Sequence, residues 1–386
     1  MKDVTWLSDL KVRGSYGITG NAGGISPYQS LATVEAGGGY NLNHLYQTAI
    51  RPSGIANPDL RWEKSAQSNI GIDISMLNNR LSFIIDAYHK KTDDLLYIKA
   101  LPLSSGYGSI TGNYGSLENK GLEFAANATI LDGPVKWSMN GNITFNRNKI
   151  LDLDGGTTNE RFVTNYTVLQ VGQPLGVFKT YVFDGINQTG EAIIPGYDGR
   201  VGGHKVKDLN NDGAIDARDQ IITGNPNPKF IYGISTNLAY KGFDLAAFFS
   251  GSQGADIYNV SRLSFENPLG QRNLFQGVEN RWTPSNPSNQ YVSPAVAGRL
   301  PISSYAVEDG SYFRCKNLML GYTLPAIKGV SRIRVYVSAN NLFTLTKYSG
   351  YDPEVNTYAN SNTTIGIDNL VYPQSKSFLG GVQLTF

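Results

Sequence analysis

Val135-Lys-Trp-Ser-Met-Asn-Gly-Asn-Ile-Thr-Phe-Asn146 sorts its side chains into two sets by number alone. Val135, Trp137, Met139, Gly141, Ile143 and Phe145 are apolar or small; Lys136, Ser138, Asn140, Asn142, Thr144 and Asn146 are polar. Successive residues of a strand point to opposite faces, so this run is a strand with one greasy face and one wet face. It is as long as the roughly 9–11 residues that a tilted strand needs to cross a bilayer. Similar alternation recurs at 10–18, 65–76, 80–91, 120–131, 230–240, 243–250, 311–323, 332–344 and 377–386. The pattern predicts an all-β antiparallel protein of about ten strands.

The final run, Phe378-Leu-Gly-Gly-Val-Gln-Leu-Thr-Phe386, puts Phe378, Gly380, Val382, Leu384 and Phe386 on one face. Ending inside a strand on an aromatic residue is similar to the way bacterial outer-membrane barrels end. The connections point the same way. Short ones lie near Leu77–Arg80, Leu131–Pro134, Lys241–Gly242 and Pro325–Ser331, and long ones cover about 19–63, 92–118, 147–229, 251–310 and 345–376. Short and long alternate throughout, the habit of transmembrane barrels with tight periplasmic turns and long extracellular loops. In a soluble domain, loops this long and structureless count against the strand assignment. An outward first strand, an inward last strand and an even count make five hairpins.

Composition narrows the alternatives. Gly (43) and Tyr (23) are abundant, charged residues make up 17%, and the net charge is +2. With no Lys/Arg-rich stripe, there is no electrostatic case for nucleic acid. A single cysteine, Cys315, excludes an internal disulfide framework and a Cys-based zinc site. No run of 18 apolar residues exists, which excludes a transmembrane helix and leaves barrel strands open. Met1–Leu10 has no basic region followed by an apolar core, so it is not a signal peptide. An envelope protein needs an export signal, and the expectation is that the chain is part of something longer.

Several segments resemble the SusC/RagA family of TonB-linked outer-membrane proteins. They are Asn113-Tyr-Gly-Ser-Leu-Glu-Asn-Lys-Gly-Leu-Glu123, Asn225-Pro-Asn-Pro-Lys-Phe-Ile-Tyr-Gly233, Lys241–Gly254, Arg281-Trp-Thr-Pro284, Ser311–Pro325 and Arg334–Pro353. They cover nearly the whole chain and are specific to the C-terminal part of the barrel. The resemblance implies a 22-stranded TonB-dependent transporter barrel of which 1–386 is the C-terminal part, with the plug domain and signal peptide absent. It further implies energised import of glycans, oligosaccharides or peptides. The implied partners are a SusD-like surface lipoprotein, the TonB complex through the missing N-terminal part, and outer-membrane lipid. Ten strands would leave two unpaired edges in lipid, which backbone polar groups do not tolerate, so the chain is expected to be a fragment or split product.

One constellation resembles a metal site. In Asp208-Leu-Asn-Asn-Asp-Gly-Ala-Ile-Asp-Ala-Arg-Asp219, Asp208, Asn210, Asp212, the Ala214 carbonyl, Asp216 and Asp219 occupy positions 1, 3, 5, 7, 9 and 12 of a calcium loop. Gly213 stands at the sixth position, where the loop turns sharply. Asp in place of Glu at the twelfth position shortens the reach for bidentate closure, and flanking helices look absent. The expectation is a weak Ca²⁺ site in the long extracellular loop 147–229; the competing reading is an Asx-rich turn that needs no ion.

No P-loop, nucleophile elbow or dinucleotide fingerprint is present, and His44, His89 and His204 stand apart from one another in sequence. The reading therefore assigns no enzyme activity. Tyr107, Tyr114, Tyr291, Tyr348 and Tyr351 lie in the long loops, where they can stack on sugar rings, fold the loops or form an interfacial girdle. Two further readings stay open: a TonB-dependent siderophore or cobalamin receptor, and a non-transport surface calcium-binding β-protein.

Overall fold

The computed structural model describes residues 6–156, 158–197, 199–269, 272–296, 302–325 and 329–386. Its frame is one sheet of ten strands: β1 (Leu7–Asn21), β2 (Glu63–Met76), β3 (Leu81–Ala100), β4 (Ser109–Asp132), β5 (Val135–Asp152), β6 (Phe230–Tyr240), β7 (Phe243–Gln253), β8 (Tyr312–Leu324), β9 (Arg332–Thr346) and β10 (Ser377–Thr385). Each strand pairs antiparallel with the next in sequence, so the sheet is an uninterrupted meander. Among the described residues, β1 and β10 have no strand on their outer edges.

The tight turns explain the register. Leu77, Asn78 and Asn79 adopt φ of 56°, 56° and 63°, and Lys241-Gly242 adopts 47° and 86°. At Lys241-Gly242 the two left-handed residues make the primed turn whose twist matches that of the flanking strands, while Leu77–Arg80 is a four-residue loop in which Asn78 and Asn79 take the left-handed backbone at little cost. The predicted connection at Pro325–Ser331 joins Leu324 to a strand whose Ile333 pairs with it; residues 326–328 lie outside the described set.

The long connections depart from the expectation of structureless loops. Residues 92–118 are mostly strand, because β3 and β4 stay paired out to Ala100 opposite Ser109. A bulge at Thr92–Leu95, with Asp94 at φ 59°, bends this ribbon, and only 101–108 remain as its tip. Residues 33–54 form a hairpin of their own. The loops of 147–229, 251–310 and 345–376 carry three further small sheets and a short helix, α1 (Val260–Phe265).

The buried core lies in this loop assembly, which Ile150 joins from the end of β5, and not along the body of the ten-stranded sheet. Phe178, Tyr258, Ala306 and Ile367, each at most 1% exposed, pack together from three different loops. Other clusters join Ile150, Leu153 and Leu169, and Ile186, Trp282 and Val292. Each large apolar side chain buried this way contributes roughly 1.5–3 kcal/mol, enough to hold long loops as one folded cap. A sheet with two solvated faces needs no such core. A wall between lipid and lumen is of that kind.

Candidate functional site

Following the register across the sheet separates two surfaces. Val12, Ile72, Ile85, Phe124, Ile143 and Tyr232 stand opposite one another on successive strands and so share one face. Leu245, Leu320, Val337 and Gly380 continue that face to the last strand. Toward the capped end it carries a chain of aromatic contacts. Phe124–Phe145, Phe145–Phe230, Phe230–Tyr232, Tyr232–Phe313, Phe313–Phe249 and Phe313–Phe343 are spaced 5.5–6.3 Å between ring centroids. Aromatic girdles of this kind mark the interfacial level of a barrel wall.

The opposite face is polar and internally bonded. Arg13 reaches Asp73 at 2.7 Å and Asp86 at 3.0 Å, bridging β1, β2 and β3. Arg334 pairs with Asp244 across β9 and β7. Asn317 donates to Asn340, which donates to Ser377; Tyr88 donates to Asn146 at 2.9 Å. Ion pairs at these positions would be costly against acyl chains, so this face lines the lumen.

The cap is tied to the wall and to itself by buried charge. Arg314, 1% exposed on β8, contacts Asp352 and Glu354 of the following loop, each at 2.6 Å. Lys316 and the Tyr312 hydroxyl also reach Glu354. Deeper in the cap, the Tyr305 hydroxyl donates to Glu266 at 2.6 Å while the Arg262 guanidinium stacks on its ring at 4.1 Å. His204 packs edge-on against Phe183 and Tyr305, and burial together with the neighbouring Arg262 charge pushes its imidazole down to about 4. The Tyr348 hydroxyl, raised by burial and by its bond to Asp368, is a fastening inside the cap. Tyr348 is therefore not free to stack on a ligand, whereas Tyr351 is 71% exposed.

The Asp208–Asp219 loop lies between a strand at His204–Val206 and another at Ile221–Gly224, with no flanking helices. Asp208 accepts from the N–H groups of Asn211 and Gly213, Asn210 from that of Asp212, and Asp212 from that of Ala214. Asn211 and Gly213 supply the left-handed backbone, at φ 58° and 81°. Asp219, fully buried, accepts from the N–H groups of Asp216, Leu209 and Asn210 and closes the loop; these bonds hold its carboxyl below the usual range. Arg218 bridges Asp212 at 2.5 Å and Asp216 at 2.7 Å. All side-chain donors are hard oxygens, as Ca²⁺ requires. A guanidinium, however, already stands between the fifth and ninth positions, and among the described residues no three His, Cys, Asp or Glu side chains form a group that could hold a metal ion. Arg218 is the residue that sequence reasoning missed here. Nothing in the calcium pattern singles out its eleventh position.

The comparisons agree with this geometry. Residues 3–342 match the family model described as "TonB dependent receptor-like, beta-barrel". TonB-dependent receptor P3 of Formosa agariphila is 37% identical over the whole chain, and TonB-dependent receptor SusC of Bacteroides thetaiotaomicron is 33% identical. The solved structure of the RagAB peptide transporter superposes over the whole chain with a TM-score of 0.84 at 29% identity. The chain spans only about two fifths of the length of these relatives: 40%, 38% and 41% respectively. The part of the RagA barrel that it matches is the C-terminal one, and these relatives are receptors and transporters, not enzymes. The chain belongs to the TonB-dependent receptor β-barrel family and is SusC/RagA-like, a family of the outer membrane.

Proposed function

We propose that this chain supplies part of the barrel wall and much of the extracellular cap of an energised outer-membrane importer. Its cargo class is glycans, oligosaccharides or peptides. The observation that carries the reading is the division of labour in the fold. One face of the sheet is continuous apolar surface with an aromatic girdle, the other carries bonded ion pairs, and a cap with its own core stands at one end. Relatives named SusC and RagAB support both cargo classes without separating them. A SusD-type surface lipoprotein is the proposed lid over the cap, and TonB the proposed source of energy.

The test uses a strain whose only copy of the gene is deleted, grown on an oligosaccharide mixture or a peptide mixture as sole nutrient. Loss of growth on one mixture identifies the cargo class, and co-purification of a lipoprotein with the detergent-extracted protein identifies the lid. A deletion strain that fails only under iron or cobalamin limitation would replace this reading with a siderophore or cobalamin receptor.

The Asp208–Asp219 loop is proposed as a weak Ca²⁺ site that orders the 147–229 segment. Its support is the spacing of Asp208, Asn210, Asp212, Ala214, Asp216 and Asp219 and their all-oxygen donor set. Calcium binding there requires Arg218 to swing away from Asp212 and Asp216.

A further inference from the structure

We propose that the lipid-facing wall carries a site for the phosphate-bearing headgroups of outer-leaflet lipid, built from Lys120, Arg147 and Lys149 with Lys64 and Lys91 beside them. The register sets these residues together. Lys120 stands opposite Arg147 and His89, Glu118 opposite Lys149 and Lys91, and Lys64 opposite Asp93. Each follows by twos from the apolar row, through Leu122 and Phe124 on β4 and Ile143 and Phe145 on β5. They therefore share the lipid-facing surface, immediately beyond its last aromatic residues.

The height fits a membrane boundary. Val135 to Phe145 is ten steps of about 3.3 Å, and a tilt of roughly 40° makes this an apolar band about 25 Å tall. Arg147 is the next side chain on that face. All five cations are exposed. Lys120 contacts Glu118 at 3.1 Å, His89 contacts Glu118 at 3.2 Å, and Lys91 contacts Asp93 at 2.9 Å. Arg147 donates to the carbonyls of Asn146, Pro228 and Lys229. Five cations thus share two carboxylates, on four neighbouring strands, β2 to β5, while β6 and β7 present Phe230 and Gln253 at the level of Phe145, just below the cations.

A row of Lys and Arg donors suits phosphate oxygens. The patch runs without a break into Leu122, Phe124 and Phe145, so the ligand that satisfies both halves is amphiphilic: a phosphorylated head on the cations and acyl chains on the band below. That continuity favours lipid over a soluble protein partner. The inference rests on the apolar face being the membrane face, and not on the cargo.

The experiment extracts the protein from outer membranes in detergent and measures retention of phosphorylated lipid A against enzymatically dephosphorylated lipid A. Wild type is compared with a triple variant, Lys120→Ser, Arg147→Ser and Lys149→Ser, and with Lys90→Ser on the opposite face of β3. Each cation near an anionic lipid surface contributes about a fivefold gain, so the triple variant is expected to retain phosphorylated lipid about a hundredfold less strongly. Lys90→Ser should match wild type, and added salt should weaken binding. A charge-conserving set, Lys120→Arg, Arg147→Lys and Lys149→Arg, should retain the lipid and guards against a folding defect. Equal retention by wild type and the triple variant overturns the proposal. So does equal retention of dephosphorylated lipid, or full competition by free inorganic phosphate. Recovery of the protein without detergent would instead overturn the membrane reading itself.

Discussion

The guanidinium of Arg314 and the carboxylate of Asp352 meet at 2.6 Å, with side chains only 2% and 8% exposed. One residue belongs to the wall and the other to the 345–376 loop, so the pair fastens cap to barrel. Removing one partner of a buried pair leaves the other charge uncompensated, at a typical cost of roughly 3–5 kcal/mol. Glu354 also contacts Arg314, which places Asp352→Ala near the lower end of that range. The expected outcome is faster proteolysis of the 345–376 loop with strand assembly intact. A double-mutant cycle with Arg314→Met should show strong coupling. Independent, additive effects of the two changes would show that the pair does not fasten the loop.

The assignment of faces predicts opposite outcomes for adjacent residues on β5. Ile143→Lys places an ammonium among Phe124 and Tyr232 on the apolar face, inside the upper part of the band, at a cost between the roughly 2–4 kcal/mol of the bilayer midplane and the roughly 0–1 kcal/mol of the interface. Asn142→Lys lies on the luminal face and should be tolerated. The measurement is the level of folded protein in outer membranes for each variant. Equal levels would reverse the facing argued from the register.

The cap should loosen in mild acid. His204 has its folded pKa depressed to about 4, from an ordinary value near 6.5, by burial and by Arg262. The unfolded chain binds the proton first, so stability is complete above pH 6.5 and declines as pH falls toward 4. The full loss is about 3 kcal/mol. Proteolysis of the 200–210 region should therefore accelerate between pH 6.5 and 4. His204→Phe, which keeps the ring packing against Phe183 and Tyr305, should flatten that dependence. An unchanged pH profile in the variant would assign the acid sensitivity elsewhere.

The wall was legible in the sequence because its physics is local. The alternation through Val135–Phe145 reports a face directly, and all ten predicted strands lie in the sheet, with the short turns at Leu77–Arg80 and Lys241–Gly242 where expected. The cap was not legible. Its core joins Phe178, Tyr258 and Ile367 from loops some 80 to 190 residues apart in sequence, and no period records such contacts. The extension of β3 and β4 was missed for a related reason. The predicted loop opens at Thr92-Asp-Asp94, just past the strand ending at Lys91, yet this stretch is strand with a bulge at Thr92–Leu95. Arg314 shows the same limit at the site, since its burial depends on Asp352 and Glu354 arriving from the next loop.

The two readings of Asp208–Asp219 differ in what holds Asp212 and Asp216 together. Without a metal ion, Arg218 does so, and Arg218→Ala leaves two carboxylates without their shared cation, loosening the loop. With Ca²⁺, the same substitution removes a competitor and tightens ion binding. Asp212→Ala removes a central ligand in the second case; in the first it removes an exposed ion pair, worth within about 1 kcal/mol, together with the bond accepted from the Ala214 N–H. The measurement is protease protection of residues 205–222 with calcium and with chelator. Protection by calcium that strengthens in Arg218→Ala and disappears in Asp212→Ala is the outcome expected of a metal loop. Indifference to calcium in wild type and in both variants would leave an Asx turn closed by Arg218 and Asp219, with the barrel assignment untouched.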